Sequence, residues 1–226
     1  MTEKKLLFVV CTTFSENDFK VKSEIYRFLS DNSLTPDVDY FVFYQNRQGL
    51  SKVYNNFFTE KYKDNIIVFV HDDVILGYSI KTLQTELNKG HNTFDIIGLA
   101  GAIKLKLTTP VLWHLMANGM SGSVGHQVNN LSQMSVYGVS PQQCTVVDGL
   151  FISVNIEKCI SQNIKFDEQF TFHCYDLDFC IQAITAGLTV GTWPIWVTHK
   201  SCGLKRLDDA VFQSNQQKFI KKWMID

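Results

Sequence analysis

The fold is decided by residues 66–73, IIVFVHDD, in which five apolar residues lead directly into one histidine and two aspartates. An apolar run of this kind is typical of a strand that is buried on both faces, as in a parallel sheet covered by helices. It is the strongest strand signal in the chain. The stretch therefore predicts a buried strand that ends in polar side chains.

The same pattern recurs on both sides of this stretch. Strand-like runs lie at 6–11, 40–44 and 96–99, and a segment with helical spacing of its apolar residues lies at 79–89. Alternation of buried strands with amphipathic helices predicts the α/β class, with a mostly parallel mixed sheet flanked by helices. A chain of 226 residues favours a single domain, residues 1–226.

The second half of the chain is less regular. Strand-like segments at 147–152 and 188–197 flank a helix that begins near Asp176 and ends before Gly187, a residue type favoured after a helix. Residues 117–143 are rich in Gly, Ser, Asn and Gln and have little periodicity. We interpret them as irregular, either a functional loop or lid or a mobile surface loop.

Composition argues against several classes of function. The formal net charge is −1 and the basic residues are dispersed, so a nucleic-acid partner is not expected. The six cysteines include no CxxC pair, which disfavours a zinc knuckle or a thioredoxin-like site and suggests reduced core cysteines. No signal peptide is evident, and no apolar run approaches the roughly 20 residues of a membrane span. We therefore expect a soluble, cytoplasmic protein without a transmembrane segment.

Asp72 and Asp73 follow the 66–70 strand, at the edge where open α/β sheets bind ligands. Two adjacent carboxylates repel each other unless water or a cation neutralises them. A hard divalent cation would suit them and could bridge to a phosphate. The alternative is a solvated strand end at which aspartate serves as a turn or cap residue.

Three further polar residues lie at the ends of predicted elements. Asp176 and Asp178 fall in the first turn of a helix, whose positive end favours their ionised forms. The alternative for both is simple helix capping. His199 closes the last strand-like segment and is either a structural residue or a ligand.

The order of these features resembles GT-A glycosyltransferases of the family-2 type, in particular a short bacterial glycosyltransferase-like group. The resemblance spans roughly residues 40–203, and it rests on short motifs that are specific through their order and spacing. These motifs are GLSKVYN (49–55), VHDDV (70–74), VDGLF (147–151), FDEQF (166–170), YDLDFC (175–180), AG (186–187) and VTH (197–199).

The resemblance implies a GT-A fold, that of nucleotide-diphospho-sugar transferases. Residues 1–105 would form the nucleotide-sugar-binding half, residues 106–203 the acceptor and catalytic half, and residues 204–226 a C-terminal helix. The implied activity is that of a hexosyltransferase, which moves a sugar from a UDP- or GDP-linked donor to a hydroxyl of a glycan or lipid-linked acceptor. The reaction would invert the anomeric centre and use Mn²⁺ or Mg²⁺.

The resemblance also implies roles for individual residues. Asp176 matches the catalytic base, whereas Asp73 of the DxD-type element and His199 match metal ligands. The nucleotide sugar is expected to be held by the 12–14 loop, the 46–55 segment and the residues after the 66–70 strand. The individual residues are Thr12, Thr13, Phe14, Asn46, Ser51, Asn55, His71 and Asp72. The residues expected near the acceptor are Asp148, Gly149 and Tyr175.

Two other functions stay open. A metal-dependent hydrolase could use His71, Asp72, Asp73 and His199 to bind zinc or manganese and activate water. The same fold could also serve as a non-catalytic module that binds a nucleotide sugar or a glycan.

The C-terminal segment, residues 208–226, combines apolar residues with lysines at helical spacing. Such a helix could rest on an anionic membrane that carries a lipid-linked acceptor. More often it packs on its own domain, and we favour this second interpretation.

Overall fold

The computed structural model describes residues 4–106, 110–128, 131–200 and 210–223, which form a mixed α/β architecture. Their strands are β1 (Lys5–Cys11), β2 (Val38–Phe43), β3 (Asn65–Val70), β4 (Val74–Leu76), β5 (Ile96–Gly98), β6 (Ala100–Ala102), β7 (Met120–Val128), β8 (Leu131–Gly138), β9 (Gln142–Gln143), β10 (Val146–Val147), β11 (Phe151–Asn155), β12 (Val190–Thr192) and β13 (Val197–His199).

The same residues form α-helices and three short 3-10 helices. The α-helices are α1 (Glu16–Lys22), α2 (Glu24–Asp31), α3 (Leu50–Tyr54), α4 (Ile80–His91), α5 (Trp113–Met116), α6 (Ile156–Ser161), α7 (Tyr175–Thr185) and α8 (Ala210–Trp223). The 3-10 helices are Asn55–Phe57, Glu60–Tyr62 and Pro110–Leu112.

The larger sheet has seven strands in the order β2-β1-β3-β11-β5-β12-β9. Strand β1 is parallel to β2 and β3, and β12 is parallel to β5, whereas β11 is antiparallel to both β3 and β5. Residues 6–10 and 66–70 are buried, as their continuous apolar runs predict. The α/β class with a mixed sheet is confirmed, and among the described strands of this sheet the parallel pairs are β1-β2, β1-β3 and β5-β12.

The smaller sheet has the order β10-β6-β7-β13-β4, and β8 pairs with β7. Strand β13 is parallel to β7 and antiparallel to β4. Because β3 of the larger sheet continues through residues 71–73 into β4 of the smaller one, those three residues lie at the junction of the two sheets.

Residues 117–143 do not form the irregular segment that their composition suggested. They contain β9 and a hairpin in which β7 and β8 pair from Ser123–Val136 to Val128–Leu131. Most β8 side chains are exposed, and the exposed ones mix apolar residues (Leu131, Met134 and Val136) with polar ones (Ser132 and Gln133). The hairpin is therefore joined mainly by backbone hydrogen bonds, and it lacks the apolar alternation that would have revealed it.

Two segments that were expected to be single strands are each divided between the sheets. Residues 148–150 separate β10 of the smaller sheet from β11 of the larger sheet. Residues 193–196 separate β12 from β13 in the same way. Pro194 lies in this second break, where its missing N–H removes no hydrogen bond from a ladder.

The cysteines of the described residues are unpaired, and most of them are buried in the core. Burial is the main cause that raises the thiol pKa at Cys11, Cys144, Cys159, Cys174 and Cys180. The pKa reaches about 12 for the partly buried Cys11 and about 11 for Cys144. The expectation of unpaired core cysteines is confirmed for Cys144, Cys159, Cys174 and Cys180, and Cys202 lies outside the described residues.

Helix α8 packs against the rest of the chain. Phe212 and Phe219 are buried, and the Phe219 ring lies 6.3 Å from the Phe170 ring. The favoured interpretation of the C-terminal segment is therefore confirmed within residues 210–223. Among the described residues, no helix has both the length and the apolar character needed to cross a membrane.

Candidate functional site

The backbone of residues 71–73 is fixed by several distant parts of the chain. The His71 N–H donates to the Leu150 carbonyl oxygen at 3.1 Å. The Asp72 carbonyl oxygen accepts hydrogen bonds from the Ser23 hydroxyl at 2.7 Å and the Glu24 N–H at 3.0 Å. The side chains after β3 are therefore held in place at the junction of the two sheets.

His71, Asp73 and His199 form a group that could hold a metal ion. One potential ligand atom from each residue lies within 4.8 Å of the others, and His199 Nε2 is 3.1 Å from Asp73 Oδ2. Asp73 Oδ1 is buried and has no hydrogen-bond partner among the described residues. An unsatisfied buried carboxylate oxygen is costly, and a cation would satisfy it. The donor set therefore fits a divalent metal ion.

The protonation states of this group also suit a metal. Burial lowers the pKa of His71, so its imidazole is neutral near pH 7, which is the form that binds metals. Burial alone would raise the pKa of Asp73, but the hydrogen bond and the charge of His199 outweigh it and lower that pKa. Asp73 is therefore ionised and available as an anionic ligand.

A cavity of about 600 Å³ opens beside this group. The residues that line it and were expected to bind the nucleotide sugar are Thr12, Thr13, Asn46, His71 and Asp72, and Asp73 lines it too. The Thr12 hydroxyl donates to Asp72 Oδ2 at 2.5 Å, which ties the loop after β1 to the end of β3. Burial raises the pKa of Asp72, although this hydrogen bond opposes the change.

Arg47, Thr171 and Phe172 also line the cavity. Arg47 belongs to the 46–55 segment that the resemblance assigns to the nucleotide, whereas Thr171 and Phe172 were not predicted. The other two come from a distant part of the chain, anchored where the Leu50 N–H donates to the Thr171 carbonyl oxygen at 2.7 Å. No pattern in the sequence indicates that contact.

Asp176 lies at the start of α7 and contacts the turn between β10 and β11. Its Oδ2 accepts a hydrogen bond from the Gly149 N–H at 2.8 Å. Burial raises the pKa of Asp176 to about 7, and the negative charge of Asp148 adds to this effect. A carboxylate with such a pKa can accept a proton near neutral pH, which is the property of a general base.

Gly149 is required by this contact. A Cβ atom at position 149 would lie 2.4 Å from the Tyr175 hydroxyl oxygen and 3.0 Å from Asp176 Oδ2. Tyr175 in turn donates a hydrogen bond to the Gly149 carbonyl oxygen at 2.9 Å. The turn at 148–150 and the start of α7 can approach this closely only because residue 149 has no side chain.

The metal-ligating group and the Asp176 region are adjacent. The Tyr175 hydroxyl lies 3.5 Å from His71 Nε2, and the charge of Asp148 affects the pKa of both His71 and Asp176. Asp176 itself is not one of the residues that line the cavity. The structure thus brings Asp148, Gly149, Tyr175 and Asp176 to the neighbourhood of His71, beside the cavity rather than on its wall.

Three residues expected to hold the nucleotide sugar do not line the cavity. The buried Ser51 hydroxyl donates to the Phe170 carbonyl oxygen at 2.6 Å. The Asn55 side chain bonds the backbone of Phe166 as both donor and acceptor at 2.9 Å. The Phe14 ring packs partly against the core. Ser51 and Asn55 thus bind backbone groups of the 166–170 segment. Their positions outside the cavity lining do not support a direct contact with the nucleotide.

Solved structures of similar shape were found, whereas no protein-family model and no curated protein matches the sequence. GalNAc-T7 with UDP, GalNAc and Mn²⁺ matches with a TM-score of 0.54 and 10% identity, over 98% of this chain and 48% of its own. The mannosyltransferase PcManGT from Pyrobaculum calidifontis, in complex with GDP-Man and Mn²⁺, matches with a TM-score of 0.50 and 10% identity. That match covers 92% of this chain and 59% of the mannosyltransferase. These likenesses show the GT-A fold, and at such identity they show the fold alone.

Proposed function

We propose that this chain is a divalent-metal-dependent glycosyltransferase of the family-2 type. It would transfer a sugar from a nucleotide-diphosphate sugar to an acceptor hydroxyl with inversion of the anomeric centre. The observation that carries the proposal is the His71, Asp73 and His199 group, with its unsatisfied buried carboxylate oxygen, at the mouth of the 600 Å³ cavity. The fold supports it, because both matched structures are glycosyltransferases described with Mn²⁺.

His71, Asp73 and His199 would hold the metal ion, which is Mn²⁺ or Mg²⁺. When bound, such an ion stabilises the negative charge that develops on a departing diphosphate. The placement of His71 in the group moves it from the expected nucleotide contact to a ligand role. It takes the place of the first aspartate of a DxD element.

The cavity would bind the donor. Thr12, Thr13, Asn46 and Asp72 present hydroxyl, amide and carboxylate groups to it, which suit the hydroxyls and ring atoms of a nucleoside and a sugar. Arg47 adds a guanidinium, which suits phosphate oxygens. The matched structures carry GDP-Man in one case and UDP in the other, and either base stays open for this chain.

Asp176 would take the proton from the acceptor hydroxyl as that oxygen attacks the anomeric carbon. Its pKa of about 7 makes it a weak enough acid to accept the proton and leaves a usable ionised fraction near neutral pH. Asp148, Gly149 and Tyr175 border it and would position the acceptor, which is a glycan or a lipid-linked sugar. Attack from the side opposite the diphosphate accounts for inversion.

Several broader expectations keep the status of predictions. These are a single domain over residues 1–226, a cytoplasmic location and peripheral contact with a membrane. For the last, Phe212 and Phe219 of α8 are already buried by packing and Lys222 is paired with Asp167 and Asp178, so Lys218 and Lys221 would supply the attraction to anionic lipid within the described part of the helix.

The test is a titration of the full chain with GDP- and UDP-sugars, with Mn²⁺ present or after treatment with EDTA. Thermal shift and calorimetry would report binding, because a ligand of the folded state raises its apparent stability. We expect binding that requires the metal and is lost in Asp73→Ala. Donor binding at full affinity in EDTA, or in Asp73→Ala, would contradict the proposed metal role.

A turnover assay with the same donors separates transfer from hydrolysis. Incubation of the donor without an acceptor should release sugar only slowly if the protein is a transferase. Rapid release of free sugar, unchanged when acceptors are added, would instead identify a metal-dependent hydrolase. Metal-dependent binding with neither reaction across a broad acceptor panel would favour a binding module.

A further inference from the structure

His126 lies beside His199 in the smaller sheet. Strand β7 runs parallel to β13, and His126 is aligned with His199 in the register of the two strands. Aligned residues of neighbouring strands point to the same face of the sheet, and their strands lie about 5 Å apart. The His126 side chain therefore points to the face on which His199 meets Asp73.

The imidazole rings of His71 and His126 each lie within the greatest distance from the His199 ring that two rings bound to one metal ion can have. Two imidazoles that bind one ion through nitrogens at about 2.1 Å have centroids no more than about 6.5 Å apart. The centroids of His71 and His199 are 6.4 Å apart, and those of His126 and His199 are 6.0 Å apart. His126 is thus closer to His199 than is His71, which already belongs to the metal-ligating group.

The backbone near His126 is held firmly. Strand β7 is paired with β6, β8 and β13 at different points along its length. A Cβ atom on Gly125 would lie 3.1 Å from Thr198 Oγ1 and from the Val197 carbonyl oxygen, so β7 approaches β13 closely at this point. As the structure stands, the atoms that all lie within 4.8 Å of one another come from His71, Asp73 and His199, so ligation by His126 would require its ring to rotate about its side-chain bonds.

The chemistry of the hairpin singles out His126. Residues 107–147 contain no Asp, Glu, Lys or Arg, and His126 is the only His, Cys, Asp or Glu between residues 115 and 143. The hairpin thus brings one strong metal ligand to the metal-ligating group and no charge that would compete with it.

We propose that His126 is a fourth protein ligand of the metal ion, and this inference rests on the metal site of the proposed function. The donor set becomes three imidazoles and one carboxylate. Imidazole ligands suit Co²⁺ or Zn²⁺ better than Mn²⁺, and they suit Mg²⁺, which prefers oxygen ligands, least. Four protein ligands leave two positions of a six-coordinate ion open, enough for two oxygens of a diphosphate.

The first test is metal binding to the full chain with no nucleotide present. Calorimetry with Mn²⁺ and with Co²⁺ would compare the wild type with His126→Asn and with the matched control His114→Asn. His114 is a half-buried histidine near Trp113 in the same uncharged segment. We expect His126→Asn to weaken binding of both ions by at least about tenfold and the control to leave it unchanged.

The second test gives a signature that a merely structural role cannot produce. In His126→Cys, bound Co²⁺ should show a thiolate-to-cobalt charge-transfer band in the near ultraviolet that the wild type lacks. Thermal unfolding would verify that each variant is folded. A folded His126→Asn with wild-type affinity, or a metal-loaded His126→Cys without the band, would overturn the proposal.

These tests distinguish failure of the proposed metal site from failure of His126 as its fourth ligand. If the wild type binds neither ion, the metal site of the proposed function falls, and His126 falls with it. If the wild type binds metal through His71, Asp73 and His199 while His126→Asn is unaffected, only the fourth ligand is wrong.

Discussion

At the scale of single residues, the environment of Asp176 is the feature that most directly affects chemistry. Burial and the neighbouring Asp148 raise its pKa to about 7. A general base works only in its ionised form, so this pKa should be visible in the rate of transfer.

We predict that kcat/KM falls as the pH is lowered through about 7, by about tenfold per pH unit below that point. In Asp148→Asn the negative neighbour is removed, which lowers the pKa of Asp176 and should move the inflection to lower pH. The measurement is the pH profile of transfer with Mn²⁺ saturating throughout.

Asp176→Asn serves as the reference variant for this profile. It should keep metal-dependent donor binding but lose about 10² to 10⁴ in rate, the usual contribution of a positioned base. An inflection that stays in place in Asp148→Asn, or full turnover in Asp176→Asn, would show that another group takes the proton.

The sequence could locate some residues of the candidate site but not their partners. Asp72 and Asp73 were expected at a strand end because the apolar run before them is unmistakable, and the structure has them there. The meeting of Asp73 with His199, which is 126 positions away, depends on how two sheets join. Likewise Ser51 and Asn55 have polar side chains that suit a ligand, and only the fold reveals that backbone groups already engage them.

At the scale of elements, helix α8 forms ion pairs and a hydrogen bond with residues close to Asp176. Lys222 Nζ lies 2.8 Å from Asp178 and 2.7 Å from Asp167, and the Trp223 Nε1–H donates to Asp178 at 2.8 Å. Asp178 is completely buried on α7, two residues after Asp176. The last helix therefore neutralises a buried charge next to the proposed base.

We predict that Lys222→Met lowers the free energy of unfolding by about 3 kcal/mol, because it leaves the buried Asp178 carboxylate without its cation. Lys221→Met is the matched control, since Lys221 is exposed on the same helix and should change stability by less than about 0.5 kcal/mol. Urea unfolding of the full-length variants measures both. Equal losses in the two variants would show that the ion pair does not matter.

Elements with strong apolar periodicity were predicted, whereas elements built from backbone pairing were not. Strands β1 and β3 are apolar along nearly their whole lengths because both of their faces are buried. The hairpin β7–β8 was missed because its outer strand exposes apolar and polar side chains without regular alternation, and hydrogen bonds between backbones leave no trace in a sequence. The sequence predicted one strand where the structure has β10 and β11, and one where it has β12 and β13. Only tertiary contacts assign the two strands of each pair to different sheets.

At the scale of the whole molecule, stability depends on pH through buried titratable groups. His91 is half-buried, with Nε2 2.8 Å from the Ser153 hydroxyl and Nδ1 3.0 Å from the Phe94 carbonyl oxygen. Burial lowers its pKa to about 4, whereas the unfolded chain has the ordinary value of about 6.5. Between these two values the unfolded chain binds a proton that the folded chain does not.

We predict that His91 makes the folded state less stable as the pH falls from about 6.5 to about 4, by up to about 1.4 kcal/mol per pH unit. His91→Gln removes this proton linkage. The measurement is the free energy of unfolding in urea at pH 7.5 and pH 5, and the wild type should lose more stability than the variant. A comparison with the variant is needed because the raised pKa of Asp176 acts in the opposite direction. Parallel pH dependence of the two proteins would contradict the prediction.

The reactivity of the buried thiols would report local unfolding of this protein. A disulfide reagent reacts with thiolates, and thiols of such raised pKa in a closed core are nearly inert until the chain around them opens. Labelling rates at Cys159 and Cys180 would therefore time the unfolding of two separate regions without any engineered probe. Cys11, which borders the cavity, would instead record whether a ligand shields it from the reagent.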